Sequence, residues 1–298
     1  MNLRRVAPEE RVDGLYTYWK KAMEGVPYRF DTSLEAWTRC LFADSAAGES
    51  LFLDSQVWAA ECEGEVAGFV QFGRPAFHYD GQGRRYRDPD IGVIRQLYFD
   101  RERPEAGAAL MELAEAYLRR YPEAFAFYHA FGMGCQAYHG KLHERIRHVD
   151  GLLREHGFAV RHENVYYVVP VECWKVAPDR GMDVRVQRND HEGTEEFSLY
   201  VDERAIGTAS VRYLADLTGG RTRNIAYLTW IGIVGDARRR GFGRALISHI
   251  VERLGQLGCS ELHTDTALTN VAAQAFYERL GFRNAGITRD YVRSAGTS

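Results

Sequence analysis

Apolar residues recur at three- and four-residue spacing through residues 8–24, where Val12, Leu15, Tyr16 and Trp19 share one face, and this predicts an amphipathic helix. Residues 33–43 repeat the pattern behind Ser33, whose hydroxyl suits an N-cap, with Glu35 in the first turn. The period then shortens to two. Residues 56–62 and 66–72 read as strands joined by the turn Glu63-Gly64-Glu65. A Gly-, Pro- and Arg-rich loop follows over residues 74–90, long for a connection in a compact domain. Beyond it the pattern predicts a strand (91–99), a helix (104–120), a strand (124–130), a helix (143–156) closed by Gly157-Phe158, and a β-branched and aromatic strand (164–171).

Turn residues cluster at Pro178-Asp179-Arg180-Gly181, and past this seam the order of elements begins again. Residues 182–187 read as a strand, 188–195 as a short helix, and 196–201 with 205–213 as a hairpin about Asp202-Glu203-Arg204. A strand over 225–233, a helix, a second strand, a second helix closed by Gly281-Phe282 and a last strand near 287–292 complete the series. The expected fold is α/β with a mixed α+β sheet: two tandem domains, residues 1–175 and 176–298, each a mostly antiparallel twisted sheet flanked by helices. The first half has two helices before its hairpin, the second only one short one.

Composition narrows the function without naming it. A chain of 298 residues with 45% hydrophobic and 27% charged residues can bury a sizeable core. Its net charge of -3 gives no bulk attraction to nucleic acid or an anionic membrane. No apolar run approaches the roughly 20 residues of a membrane span, and the N-terminus has no apolar signal segment. Five scattered cysteines without a CxxC fit reduced thiols, so a cytoplasmic protein is expected.

The chemistry concentrates where the strand over 225–233 gives way to a helix. Arg238-Arg239-Arg240-Gly241-Phe242-Gly243-Arg244-Ala245 sets cations and two glycines at a helix start, where free backbone N–H groups and the helix dipole attract an anion. Glycine removes the Cβ atoms that would hold a phosphate away. This segment resembles the acyl-CoA pyrophosphate loop of the GCN5-related N-acetyltransferase (GNAT) superfamily. Asn270, with Ala275-Phe276-Tyr277-Glu278-Arg279-Leu280-Gly281-Phe282, is similar to that family's second signature.

The resemblance implies acetyl-CoA as co-substrate, with no metal. It implies that the backbone from Arg239 to Ala245 cradles the pyrophosphate, with Arg238, Arg239, Arg240 or Arg244 adding charge. It also implies that the strand end at Ile233, Val234 and Gly235 pairs with the pantetheine arm, that Asn270 anchors the second helix, and that Tyr277 holds or protonates the leaving thiolate. The acceptor would be an amine of a small molecule or peptide, attacked directly in a ternary complex by a monomer or homodimer. The competing reading is a CoA-sensing module whose transferase activity has lapsed.

The family often carries a Glu on the strand entering the loop, but Tyr227-Leu228-Thr229-Trp230-Ile231-Gly232-Ile233 holds no carboxylate. Asp265, His263, an acid from the first half or ordered water remain for the base. Counting back from Gly157 as from Gly281 puts Ile146 and Leu153 where Asn270 and Tyr277 stand, and Arg103 to Leu110 lacks the Gly-x-Gly. The first half is therefore expected to be a scaffold and acceptor wall, leaving one acyl-CoA site per chain. The Arg74–Asp90 loop is a candidate lid. His139 and His143, with Glu144 and His148, have helical spacing for a metal but are read as surface polar residues.

Overall fold

The computed structural model describes all residues except 31, 44, 47–48, 81, 83, 137–138, 180, 190–192, 214–223 and 295–298, so Arg180 of the expected seam lies outside the described residues. In chain order the elements begin with β1 (Asn2–Val6), α1 (Asp13–Ala22), α2 (Leu34–Phe42), β2 (Ser45–Ala46), β3 (Glu49–Ser50), β4 (Phe52–Cys62), β5 (Glu65–Pro75), β6 (Phe77–Tyr79), β7 (Arg85–Arg87) and β8 (Ile91–Phe99). Then come α3 (Pro104–Leu118), β9 (Glu123–Ala126), β10 (Leu142–His143), α4 (Arg147–Glu155), β11 (Ala159–Pro170), β12 (Asp183–Asn189), β13 (Thr194–Val201) and β14 (Arg204–Tyr213). The site elements follow: β15 (Asn224–Ile233), α5 (Phe242–Gln256), β16 (Cys259–Ala267), α6 (Val271–Arg279) and β17 (Arg283–Ser294).

Two compact units result, Met1–Glu163 with Thr288–Ser298, and Asn164–Ile287. The expected domain boundary is 175/176, whereas the units part after Glu163 and the first takes back β17 from Thr288 onward. In the first unit the strands run β1-β4-β5-β8-β9-β17, with β10 also paired to β17. In the second they run β11-β16-β15-β14-β13-β12. Within each unit one pair is parallel, β8/β9 and β15/β16, and each is joined by a crossover helix, α3 or α5. The other pairings described are antiparallel, the mixed-sheet architecture expected.

Local chemistry explains most boundaries. Ser33 Oγ accepts from the Ala36 N–H at 3.1 Å, the N-cap expected of it. Glu63 and Gly64 take positive φ (55° and 84°), the twist a tight hairpin needs. The 188–195 helix does not form: Arg188 and Asn189 end β12 and pair with Glu195 and Thr194 of β13. The strand expected over 182–187 runs on to Asn189, and Thr194 and Glu195 open β13. The strand expected to run to residue 130 stops at Ala126, where Phe127 turns left-handed at φ 51°. The helix expected from His143 begins at Arg147, and β1 had no counterpart in the pattern reading.

Candidate functional site

β15 and β16 pair in parallel only from Asn224↔Cys259 to Leu228↔Thr264, then part, although β15 continues to Ile233 and β16 to Ala267. The cause is visible on the other side of β15. Its register with β14 slips between Ser210↔Trp230 and Val211↔Leu228, leaving Thr229 as an extra residue whose hydroxyl reaches the Ser210 carbonyl at 3.1 Å. Such a bulge bends its strand. The Thr264 hydroxyl closes the ladder on the Leu228 carbonyl at 3.0 Å. Past that point β15 offers an edge with no strand partner on the β16 side among the described residues. At Ile233 and Val234, the two positions expected to bind there, the Ile233 carbonyl accepts from Arg238 Nε (2.9 Å) and the Val234 N–H donates to Ile206 (2.9 Å).

The start of α5 stands at the end of the same strand. Gly241 is the N-cap at φ 87°, no side chain caps the helix, and the first intrahelical bond is Ala245 N–H to Gly241 O at 3.0 Å. The N–H groups of Phe242, Gly243 and Arg244 have no acceptor within the helix. The two glycines serve different needs. A Cβ on Gly241 would meet nothing within 4 Å, so its backbone angle is what demands glycine. A Cβ on Gly243 would lie 3.2 Å from the Phe276 ring, so that glycine lets α6 approach α5. Arg239, at φ 60°, Arg240 and Arg244 are exposed; the Arg240 guanidinium lies 5.2 Å from the Phe242 ring centre.

Tyr277 is held from both sides. Asn270 caps α6, its side-chain oxygen accepting from the Ala273 N–H at 3.2 Å. Gly281, at φ 89°, closes the helix by donating to Glu278 O (3.0 Å), while Phe282 N–H donates to Tyr277 O (3.1 Å). This is a Schellman closure, with the Phe282 and Tyr277 rings in contact at 5.2 Å. Tyr167 packs on Tyr277 at 5.5 Å, leaving it 5% exposed. Burial raises its hydroxyl above the usual phenol range, and a hydrogen bond with Thr264 pulls the other way. Thr264 is also the residue at which the strands part, so Tyr277 stands at the apex of the notch.

Around it lies a polar set that the sequence reading only touched. Tyr227 donates to Asp265 at 2.6 Å, and the Asn164 amide donates to the other carboxylate oxygen at 2.5 Å. His263, buried, meets the Tyr166 hydroxyl at 3.0 Å and Glu261 at 3.2 Å. Asp265 and His263 are both engaged in these bonds. Tyr166, Tyr227 and Asn164 went unweighed because aromatic and β-type strand residues read as core. Trp230, 62% exposed beside the bulge, was legible only as a strand residue.

The first unit repeats the frame with different residues at the matching positions. α3 and α5 are each 15 residues long and α4 and α6 each 9, so their caps align residue for residue. Arg103 then stands for Gly241 and Glu105 for Gly243, while Ile146 stands for Asn270 and Leu153 for Tyr277. Ile146 caps nothing with its side chain, and Leu153 is fully buried. Gly107 matches Ala245, and a Cβ there would meet the Phe99 ring at 2.7 Å. The strand pair β8/β9 also ends early, at Ile94↔Ala126, but Arg95 fills the gap. Its guanidinium donates to Phe131 O (2.7 Å), Cys40 O (2.9 Å) and Gly132 O (3.2 Å).

The Arg74–Asp90 loop carries the β6/β7 hairpin, with Arg85 and Arg87 paired to Glu49 and Arg84 to Asp80. His139 and His143 are buried and pack on Tyr28 at 4.5 and 6.0 Å, outside any α-helix, and His148 reaches Phe99 O at 2.8 Å. His139 and His143 are core groups rather than the surface residues expected, and His148 is half-buried. No helix among the described residues is long and apolar enough to cross a membrane.

The family model "Acetyltransferase (GNAT) family" matches residues 162–282. Over 61 residues, 20% of this chain and 41% of the relative, the sequence is 41% identical to the ribosomal protein bS18-alanine N-acetyltransferase of Escherichia coli K12. Over 97 residues, 32% of this chain and 66% of the relative, it is 34% identical to an aminoglycoside N(6')-acetyltransferase type 1 of Serratia marcescens. The chain thus spans less than half the length of the first of these relatives. Among solved structures, a tandem GNAT protein from the clavulanic acid biosynthesis pathway superposes over 100% of this chain and 99% of its own, with TM-score 0.64 and 14% identity. A GCN5-related N-acetyltransferase from Sphaerobacter thermophilus covers 98% of this chain and 95% of its own, with TM-score 0.67 and 13% identity. At such identities the likeness is one of fold.

Proposed function

We propose that the chain, whose residues 162–282 match the GNAT acetyltransferase family model, is an acetyl-CoA-dependent N-acetyltransferase acting on a primary amine by direct attack. The observation that carries this reading is the notch between β15 and β16, with an uncapped helix start at its mouth and Tyr277 at its apex. The residues fit the co-substrate. Three N–H groups on α5 with no acceptor within the helix suit a pyrophosphate, exposed Arg239 and Arg244 add charge, and the edge of β15 suits the amides of an extended arm.

In this reading the β15 edge orients the thioester so that the amine nitrogen reaches its carbonyl carbon. As the nitrogen–carbon bond forms and the carbon–sulfur bond breaks, the Tyr277 hydroxyl gives its proton to the departing thiolate. A phenol is protonated at neutral pH and so has a proton to give. Strand β15 supplies no carboxylate, and Asp265 is held by Tyr227 and Asn164, so the nitrogen passes its proton to water. Tyr277 is then reprotonated from solvent.

The relatives acetylate, by name, an alanine of a ribosomal protein and an aminoglycoside, and both acceptors are amines. A small-molecule or peptide amine is accordingly the acceptor class proposed here, with the first unit as scaffold and a cytoplasmic setting. Two measurements test the reading: calorimetric titration with acetyl-CoA, and thiol release across a panel of amines. One acetyl-CoA per chain and amine-dependent thiol release are expected. Binding without turnover on any amine would instead make the chain a CoA sensor.

A further inference from the structure

Away from the notch, three side chains of the first unit converge on one point. His129 follows β9, His162 lies on β11 and Asp290 on β17, so the ligand atoms come from three separate segments. Asp290 Oδ2 lies 2.9 Å from His129 Nδ1 and 3.2 Å from His162 Nδ1, and Oδ1 lies 3.1 Å from His162 Nδ1. All three ligand atoms fall within 4.8 Å of one another, and among the described residues no other such histidine, cysteine and carboxylate group occurs. The carboxylate is fully buried, while the imidazoles are 45% and 48% exposed. The His162 N–H also donates to Oδ1 at 3.0 Å, fixing the carboxylate in place.

We propose that His129, His162 and Asp290 form a binding site for a borderline divalent cation, zinc foremost. Two imidazole nitrogens and one carboxylate oxygen are a donor set that zinc accepts, with a fourth position left to water. Zinc–nitrogen and zinc–oxygen bonds of about 2.0–2.1 Å place tetrahedral ligands roughly 3.4 Å apart, so the two nitrogen–oxygen contacts need to open by only a few tenths of an ångström. The nitrogen–nitrogen separation closes by rotation of the exposed rings. In the metal-bound form each Nδ1 is deprotonated, the proton standing on the solvent-facing Nε2. The ion would join the segment after β9, β11 and the returning strand β17 at one point, a structural clamp with no part in acyl transfer.

The test uses the full chain without a histidine tag, titrated with zinc chloride in a non-chelating buffer after treatment with EDTA. One zinc per chain is expected. His129→Ala and His162→Ala should each weaken binding by more than the about 10–100-fold that loss of a second-shell partner costs. Both imidazoles are half exposed, so these variants keep the fold, which circular dichroism in EDTA verifies. Cobalt(II) should give the strong visible absorption of a tetrahedral site in the parent and not in the double variant. Zinc should raise the thermal midpoint of the parent alone. Absence of zinc binding by the parent, or equal binding by the double variant, overturns the proposal and leaves an ordinary ion pair on Asp290.

Discussion

In both units a parallel strand pair parts after a few rungs, at Ile94↔Ala126 in the first and at Leu228↔Thr264 in the second. Each parting sits beside a bulge: the register slips at Gln71/Phe72 opposite β8 and at Ser210/Val211 opposite β15. The extra residue is Arg95 in one and Thr229 in the other. The two extra residues act differently. Arg95 extends a guanidinium into the gap and satisfies three backbone carbonyls there; Thr229 turns its hydroxyl back onto Ser210. The same fold frame therefore serves as a filled core in one unit and a groove in the other. What distinguishes them is a handful of side chains at fixed structural positions.

The comparison can be broken most sharply at Tyr277. Tyr277→Leu, which installs the first unit's residue, should lower kcat by about 10²–10⁴-fold with KM for acetyl-CoA little changed. If Tyr277→Phe retained full turnover, the proton-donor assignment would fall. Next comes Gly243→Glu, copying Glu105. A carboxylate at the α5 start should weaken acetyl-CoA binding by more than about tenfold, read by calorimetry. Gly243→Ala isolates the smaller effect of the Phe276 contact, and equal losses in both variants would mean that charge at this helix start is irrelevant.

Arg95→Met should cost the first unit about 3 kcal/mol, because three buried carbonyls lose a charged donor, as denaturant unfolding would show. The variant should still bind one acetyl-CoA. A second equivalent site would mean the plug alone had closed the first notch.

The smallest effect is a pH slope. Burial lowers the His263 pKa below its usual 6.5, with Glu261 opposing. Near that pH the folded chain binds fewer protons here than the unfolded one, so this contribution to stability is present above about 6.5 and fades as pH falls. Urea midpoints at pH 7.5 and 5.5 should show a steeper drop in the parent than in His263→Gln.

The sequence signals that carried furthest were those with a backbone mechanism behind them. Gly157-Phe158 and Gly281-Phe282 announced two Schellman closures, and both occur with the same pair of hydrogen bonds. Counting back from them located Ile146 and Leu153 correctly, because α4 and α6 have equal length. The Arg/Gly stretch marked a helix start, yet the separate needs of Gly241 and Gly243 appeared only with φ and the Phe276 contact in view. What stayed hidden was long-range. Nothing near Arg95 or Thr229 in the chain reveals a bulge, since the partner strand sets it. In place of the helix expected over 188–195, Arg188 pairs with Glu195 and Asn189 with Thr194, a pairing that no apolar spacing there announces. His129, His162 and Asp290 are separated by up to 161 positions and share no motif.

The return of β17 to the first unit also bears on the order in which the two units can complete their folds. That unit's strand order needs Thr288 onward beside β9, yet residues 164–287 must be synthesised first. At about 5–20 residues per second this interval is on the order of ten seconds. During it the β9 edge stands unpaired, the kind of edge that invites wrong partners. The second unit, contiguous from Asn164 to Ile287, has all its strands before then. The domain translated later is the one able to finish folding first, and the earlier one waits on the ribosome for its last strand.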